Sequence, residues 1–145
     1  IRLLQLRIGV VLSEKGGALV ELLKPPVAAP LGKGSQYMSW IHMEDLCRMF
    51  VFALENEALI GTYNAVAPRP ASNKELTRAA ARVFGKTFVP IPVPGLILKL
   101  MLGEMAGMVL GGNRVSCEKI MKEGFDFSFP KLEQALQNLR SKEKG

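Results

Sequence analysis

Histidine occurs once in these 145 residues, cysteine only twice and tyrosine only twice. With a single imidazole, His42, a histidine-based metal site needs carboxylate or thiolate partners at ligand spacing, and the sequence offers none. Two thiols, Cys47 and Cys117, cannot build a disulfide framework. Both fall in helix-like contexts, so the expectation is reduced, packed thiols and a cytoplasmic-type compartment. The location would be organellar if a targeting segment preceded residue 1. No stretch has the charged, apolar and small-residue order of a signal peptide. Internal repeats and low-complexity tracts are also missing. The chain opens on Ile1 and passes at once into strand-like sequence, which reads as a fragment of something longer.

What is present is the material of a core. Hydrophobic residues make up 48% and charged residues 22%, a balance that argues against disorder and fits one ordinary domain. The net charge of +6 invites a nucleic-acid partner. The cations are scattered, however, and the densest run, Arg140, Lys142 and Lys144, also holds Glu143. Clustered charge with aromatic platforms is the nucleic-acid signature, so these cations read as solvated surface and no nucleic-acid partner is expected.

Residues 6–12 form a β-branched apolar run that reads as a strand buried on both faces of a parallel sheet. A short helix over 18–24 follows, then a loop imposed by Pro25, Pro26, Pro30, Gly32 and Gly34. Residues 36–42 are extended. Leu46, Met49, Phe50, Ala53 and Leu54 then fall on one helical face, with Glu44 and Asp45 at the positive end of the dipole. Residues 62–67 make the next strand. Ser72 and Glu75 have the spacing of a capping box, opening a helix that buries Leu76, Ala79, Ala80, Val83 and Phe84 before Gly85 ends it. Prolines keep residues 88–94 extended. A helix over 116–123 and an alternating strand at Phe125, Phe127 and Phe129 come next. Pro130 suits the first position of a last helix lined by Leu132, Ala135, Leu136 and Leu139. Strands and helices alternate, so the fold class is α/β.

Residues 95–112 are nearly long enough to span a bilayer, and Gly103, Gly107 and Gly111 stand four apart. Lys99 and Glu104 lie mid-segment, each costing about 2.5 kcal/mol or more at a bilayer centre. The expectation is a buried, glycine-notched helix and no membrane span.

Three stretches carry a resemblance. Arg7, Ile8, Gly9, Val10, Val11 and Leu12 resemble the strand that follows the catalytic Tyr-x-x-x-Lys in extended short-chain dehydrogenases. Ser39-Trp40-Ile41-His42, continuing to Asp45-Leu46, is similar to the segment of an atypical, epimerase-family branch, and Tyr63-Asn64-Ala65-Val66-Ala67-Pro68 to its next strand. Leu102-Gly103-Glu104-Met105-Ala106, Gly111 to Val115 and Gly124 to Leu132 resemble that branch's C-terminal region of unassigned function. The resemblance runs in order along essentially the whole chain. It implies the C-terminal part of a Rossmann-type fold, with residues 1–67 supplying its last strands and helices and 68–145 a small substrate-side lobe.

By the same resemblance the parent binds NADP or NAD and a small-molecule substrate, and a Tyr–Lys pair moves the proton while nicotinamide carries hydride. Here the chain departs from the pattern. Four residues after Tyr37 and Tyr63 stand Ile41 and Ala67, and no two of the fourteen glycines are three apart. Neither the catalytic pair nor the phosphate-binding turn is present, so tight cofactor binding and catalysis are not expected of this chain alone.

The resemblance sets Arg7, Ile8, Gly9, Val10 and Leu12 beside the nicotinamide; a packed strand explains Gly9 equally well. It borders the substrate cleft with Gln36, Ser39, Trp40 and His42. Alternation, though, puts Ser39 opposite the other three, and a core anchor at Trp40 or a helix-start role for His42 competes. Asp45 reads as a helix-start charge. Arg114, following two glycines and Asn113, suits an anionic substrate group or a surface ion pair. Two classes remain: an NAD(P)-dependent epimerase or oxidoreductase acting on a sugar-like compound, and a non-catalytic dinucleotide-fold protein regulating cell or organelle division. Cut from its neighbours, the strand at residues 6–12 also exposes a sheet edge suited to self-association.

Overall fold

The computed structural model describes residues 1–145, except that the side chains of Leu102, Met105, Met108 and Val109 lie outside the described residues. The first strand is broken in two, β1 (Leu4–Ile8) and β2 (Val10–Leu12), with Gly9 at the break. β1 runs parallel to β6 (Gly61–Ala65), pairing Leu4 with Gly61 and Ile8 with Ala65. β2 runs parallel to β5 (Trp40–His42). Gly9 N–H donates to Ala65 O at 3.2 Å and Val10 N–H to Ser39 O at 2.8 Å. Beyond β6, Ala67 N–H donates to Trp40 O at 2.6 Å. β5 is therefore bonded on both sides, a wedge between the diverging ends of β2 and the chain that leaves β6.

Two cores lie on the two faces of this forked sheet. One holds Ile41, Tyr63 and Ala65 beneath α2 (Met43–Glu55) and α6 (Glu118–Lys122), with Met49, Ile120 and Phe125 among its buried side chains. The other gathers Leu12 and Trp40 with α1 (Ala18–Leu23), α3 (Asn73–Phe84) and α7 (Leu132–Lys144) through Leu19, Leu76 and Leu136. The Arg82–Glu133 ion pair and a hydrogen bond from Arg140 to the Val83 carbonyl bind α3 to α7. Both halves of the Ser72–Glu75 capping box form, and Gly85 closes α3 in the left-handed region at φ 69°.

Short pairings build the remaining lobe. β3 (Val27–Ala28) runs parallel to β8 (Thr87–Phe88), and β4 (Tyr37–Met38) pairs antiparallel with β7 (Ala71–Ser72). The prolines at 90, 92 and 94 keep the chain extended up to a bridge between Val93 and Leu31.

Several expectations need correction. The strand over residues 6–12 is not buried on both faces, for Ile8 is exposed and only Leu12 of β2 is buried. On α2, Phe50 and Leu54 are 45% and 74% exposed although they share the helical period of the core residues. The stretch 95–112 is not one buried helix. Gly103, at φ 58° and ψ −130°, breaks it into α4 (Gly95–Leu102), a 3₁₀ turn and α5 (Ala106–Leu110). Leu98 and Ala106 are buried there, whereas Leu96, Leu100 and Met101 are exposed. Among the described residues no helix is long and apolar enough to cross a membrane. Phe125, Phe127 and Phe129 belong to no strand. The last helix starts at Leu132, two residues past Pro130. Cys117 is buried as expected and Cys47 is exposed.

Candidate functional site

The fork explains where the sequence-predicted residues go. A Cβ on Gly9 would overlap the Ser39 carbonyl oxygen and come within 2.7 Å of Val66 Cγ1. Glycine is needed at that point so that three backbones can approach. Arg7 and Ile8, just before the fork, are exposed, Val10 is half-buried and Leu12 is wholly buried.

Because β5 fills the fork, its alternating side chains enter opposite cores. Trp40 has no exposed surface, packs in the α1/α3/α7 core and donates its indole N–H to Arg69 O at 2.9 Å. His42 is equally buried, stacked on Phe129 with ring centroids 4.1 Å apart. Neither offers a ring face to a ligand in this structure, which corrects the grouping of both with Gln36 on one cleft wall. His42 instead caps α2: its Nδ1 accepts from Glu44 N–H at 3.0 Å, and its Nε2 meets Asn138 Oδ1 at 3.1 Å. Those partners require the neutral tautomer with the proton on Nε2.

Burial holds the His42 imidazole below its usual pKa, although its bond to Asn138 works the other way. Unfolded, the ring takes up a proton as pH falls below about 6.5. Its share of the stability is therefore complete above that pH and is lost as pH falls toward the depressed folded value. Urea midpoints should drop between pH 7.5 and 5.5, and His42→Asn, which caps without titrating, should flatten that drop. An equal drop in the variant would show that His42 is not its source. Glu75, held low by the Ser72 backbone amide and hydroxyl, adds its loss only at more acidic pH.

Asp45 does more than start a helix. Fully buried, it accepts from Ser128 N–H at 2.8 Å and Phe129 N–H at 2.9 Å, and pairs with Arg48 at 3.0 Å. The stretch expected to be a strand is thus fixed by one carboxylate rather than by a ladder.

Ser39 straps a distant segment to the fork, donating to Asn113 O at 2.8 Å and accepting from Val115 N–H at 3.0 Å. Asn64 adds a bond to Ser116 O at 2.9 Å. Gly112 runs so close to Tyr37 that a Cβ would overlap the Tyr37 carbonyl. These contacts set Arg114, itself exposed, over the Tyr37 ring with its guanidinium carbon 5.6 Å from the centroid.

Two concavities flank Tyr37 and the loop before it. A cavity of about 560 Å³ is lined by Gly32, Lys33, Ser35 and Gln36 on one side and Gly95 and Leu110 on the other. The second, about 370 Å³, shares Lys33 and Ser35 and adds Gly34, Tyr37, Ser72, Lys74 and the acidic Glu75. The loop is held from α3: Asn73 Oδ1 accepts from Leu31 N–H at 2.7 Å, and Lys74 N–H donates to Gly34 O at 2.9 Å. Gln36 reaches back to Leu31 O at 2.8 Å. Lys33, Lys74 and Arg114 make no ion pair among the described residues. The cavity therefore joins Gln36 to Lys33, Ser35 and Leu110, residues that sequence reasoning missed. The available signal was the Gly32-Lys33-Gly34-Ser35 turn, whose glycines take φ 60° and 73°. No group of histidine, cysteine and carboxylate side chains among the described residues could hold a metal.

Parallel strands joined by crossover helices make this a Rossmann-type α/β fold. The comparisons agree. A family model described as a domain of unknown function (DUF1731) matches residues 93–139. Epimerase family protein YfhF of Bacillus subtilis is 37% identical over 141 residues, covering 96% of this chain and 46% of that protein. Mouse epimerase family protein SDR39U1 is 36% identical, covering 92% and 46%. The crystal structure of human epimerase family protein SDR39U1 (isoform 2) with NADPH matches with a TM-score of 0.89 at 33% identity, over 97% of this chain and 48% of that one. A UDP-glucose 4-epimerase from Thermus thermophilus, in complex with NAD, shares the fold at a TM-score of 0.70 and 19% identity. The chain corresponds to the C-terminal half of an epimerase-family short-chain dehydrogenase/reductase, including the C-terminal domain of unassigned function. It spans about half the length of the curated relatives it matches.

Proposed function

We propose that this chain is the substrate-side portion of an NAD(P)-dependent, epimerase-like oxidoreductase acting on a small hydroxylated compound in the cytoplasm. In this reading β1, β2, β5 and β6, with the helices packed on their two faces, close the Rossmann-type domain, and the short pairings β3–β8 and β4–β7 belong to the lobe over the substrate. The observation that carries this is the match over 97% of the chain to the human protein solved with NADPH.

The described residues fit one wall of a cofactor site and not its phosphate cradle. Arg7, Ile8, Gly9, Val10 and Leu12 lead into the turn at Ser13 to Gly17, where a Cβ on Gly16 would meet nothing within 4 Å. NADP or NAD would supply the hydride. This chain's task is to hold the substrate against it, with the proton-transferring pair and the pyrophosphate turn coming from the rest of the protein. Binding of the cofactor and turnover then both need that other part.

On the substrate side, Gln36 and Arg114, with Lys33 beside them, offer hydrogen bonds and positive charge. Ser39 would act indirectly, through its bonds to Asn113 O and Val115 N–H on either side of Arg114, while Trp40 and His42 stay in the protein interior. Lys33 and Lys74 on the cavity walls, with Arg114 over the Tyr37 ring, outnumber the one carboxylate there, Glu75, and favour a substrate bearing phosphate or carboxylate. In the complete protein, Arg114→Ala should raise KM for such a substrate about tenfold or more, the worth of one charge-assisted hydrogen bond. NADPH affinity should not change. A panel of UDP-sugars and neutral carbonyl compounds, assayed by NADPH oxidation, checks this. Equal losses on neutral and anionic substrates would remove Arg114 from the reading, and no nicotinamide-dependent turnover on any substrate would end it.

A further inference from the structure

The larger cavity lies between a polar loop and an apolar helix pair, and its two sides suit different chemistry. Gly32, Lys33, Ser35 and Gln36 line it from the loop, Gly95 and Leu110 from the start of α4 and the end of α5. Leu110 is seated between the two glycines. A Cβ on Gly32 would overlap Leu110 Cδ2, and one on Gly95 would touch Leu110 Cδ1 at 3.6 Å. Polar partners for a ligand are few. One amide N–H of Gln36 is already given to Leu31 O, Ser35 offers a single hydroxyl, and no carboxylate lines this cavity. A sugar ring held here would leave most of its hydroxyls without partners, each at a cost.

The apolar side continues outward. From Gly95 the chain runs directly into the rest of α4, where Leu96, Leu100 and Met101 are more than 70% exposed and Lys99 is the one charged residue. The other end of the site is cationic. Lys33 is exposed and borders both cavities, Lys74 stands on the wall of the smaller one, and Arg114 lies over Tyr37. Glu75, the one carboxylate among them, is engaged in its capping box and accepts from Ser72 N–H at 2.7 Å. Positive charge at one end and uncovered hydrocarbon at the other match a molecule divided in the same way.

We propose that the substrate is an anionic amphiphile, with its phosphate or carboxylate at Lys33 and Lys74 and its apolar body against Leu110 and toward α4. This rests on the reading of the chain as the substrate side of an NAD(P)-dependent oxidoreductase, and it names the class of compound held there. The reacting position is then a single hydroxyl or carbonyl on an otherwise apolar body. Leu110 becomes the residue that selects hydrocarbon over sugar, because it is the one apolar side chain on the cavity wall.

The test is calorimetric titration of the complete protein, with and without NADPH, using octyl phosphate below its micelle concentration, UDP-glucose and octanol. Octyl phosphate should bind at least tenfold tighter than either of the others. Lys33→Gln should weaken it about tenfold through the lost charge, and Leu110→Ala about fivefold through the lost apolar contact. Circular dichroism checks the fold of each variant, and Lys33→Gln, on an exposed loop, carries the test if Leu110→Ala unfolds. UDP-glucose bound as tightly as octyl phosphate would overturn the proposal, as would octyl phosphate affinity unchanged in a folded variant. Binding to phosphatidylglycerol vesicles that octyl phosphate does not displace would make a lipid surface the partner and overturn it equally. No turnover is read, so a failure of the nicotinamide chemistry would leave these affinities as they are and show itself separately.

Discussion

Replacing Asp45 with alanine should cost the fold about 3 kcal/mol, the loss expected when two backbone amides give up hydrogen bonds to a buried carboxylate. The Asp45 carboxylate is wholly buried and satisfies two backbone N–H groups, those of Ser128 and Phe129, along with Arg48. Alanine takes from both amides their carboxylate acceptor. It also frees the segment that carries Phe125 and Phe127 into the core. Asp45→Asn keeps one acceptor oxygen and should lose less. Urea denaturation of the three proteins at pH 7 measures the series. Equal stability of Asp45→Ala and wild type would mean that the 125–129 segment is held by something other than this carboxylate.

The fork makes the second large prediction. Gly9→Ala should destabilise by about 3 kcal/mol, the upper range for overpacking, because the obstacle to its Cβ is the Ser39 carbonyl rather than a flexible side chain. Gly16→Ala is the matched control. Its Cβ meets nothing within 4 Å, so its effect should stay within about 0.5 kcal/mol of zero. Thermal melts of the two variants separate a packing glycine from one that merely lies in a strand. If Gly9→Ala melts with wild type, β5 does not sit as a wedge between β2 and the chain beyond β6.

Elements governed by local chemistry were legible in the sequence. The Ser72–Glu75 box, the Gly85 terminator and the apolar side of α7 follow from spacing alone, and each is found in the structure. Long-range features were not. Nothing in the period of α2 says which of its apolar stripes is covered, because that depends on what lies beside the helix. Phe50 and Leu54 share the period of Met49 and Ala53 and still face outward. The alternation at Phe125, Phe127 and Phe129 reflects two cores on either side of an extended segment, with Asp45 in place of a neighbouring strand. In residues 95–112, three evenly spaced glycines suggested one notched helix. Positive φ at Gly103 makes it a break instead.

The site was legible in part. Alternation separated Trp40 from Ile41 correctly, but not the fact that both faces of β5 are buried. The cavity is closed by Leu110 against Gly32, where a Cβ would overlap the leucine side chain. Those residues are far apart in sequence, so no local pattern announces the contact. Gln36 and Arg114 were named for their chemistry; Gln36 lines the larger cavity and Arg114 lies over the Tyr37 ring.

In the proposed reading this chain supplies a strand wall and a substrate-side lobe and leaves the pyrophosphate turn to the rest of the protein. Titration of the purified 145-residue chain with NADPH, followed by nicotinamide fluorescence, tests this most directly. No saturable binding tighter than about millimolar is predicted, because the sequence has no pair of glycines at the three-residue spacing of a phosphate-binding turn. A micromolar dissociation constant for the chain alone would contradict the account.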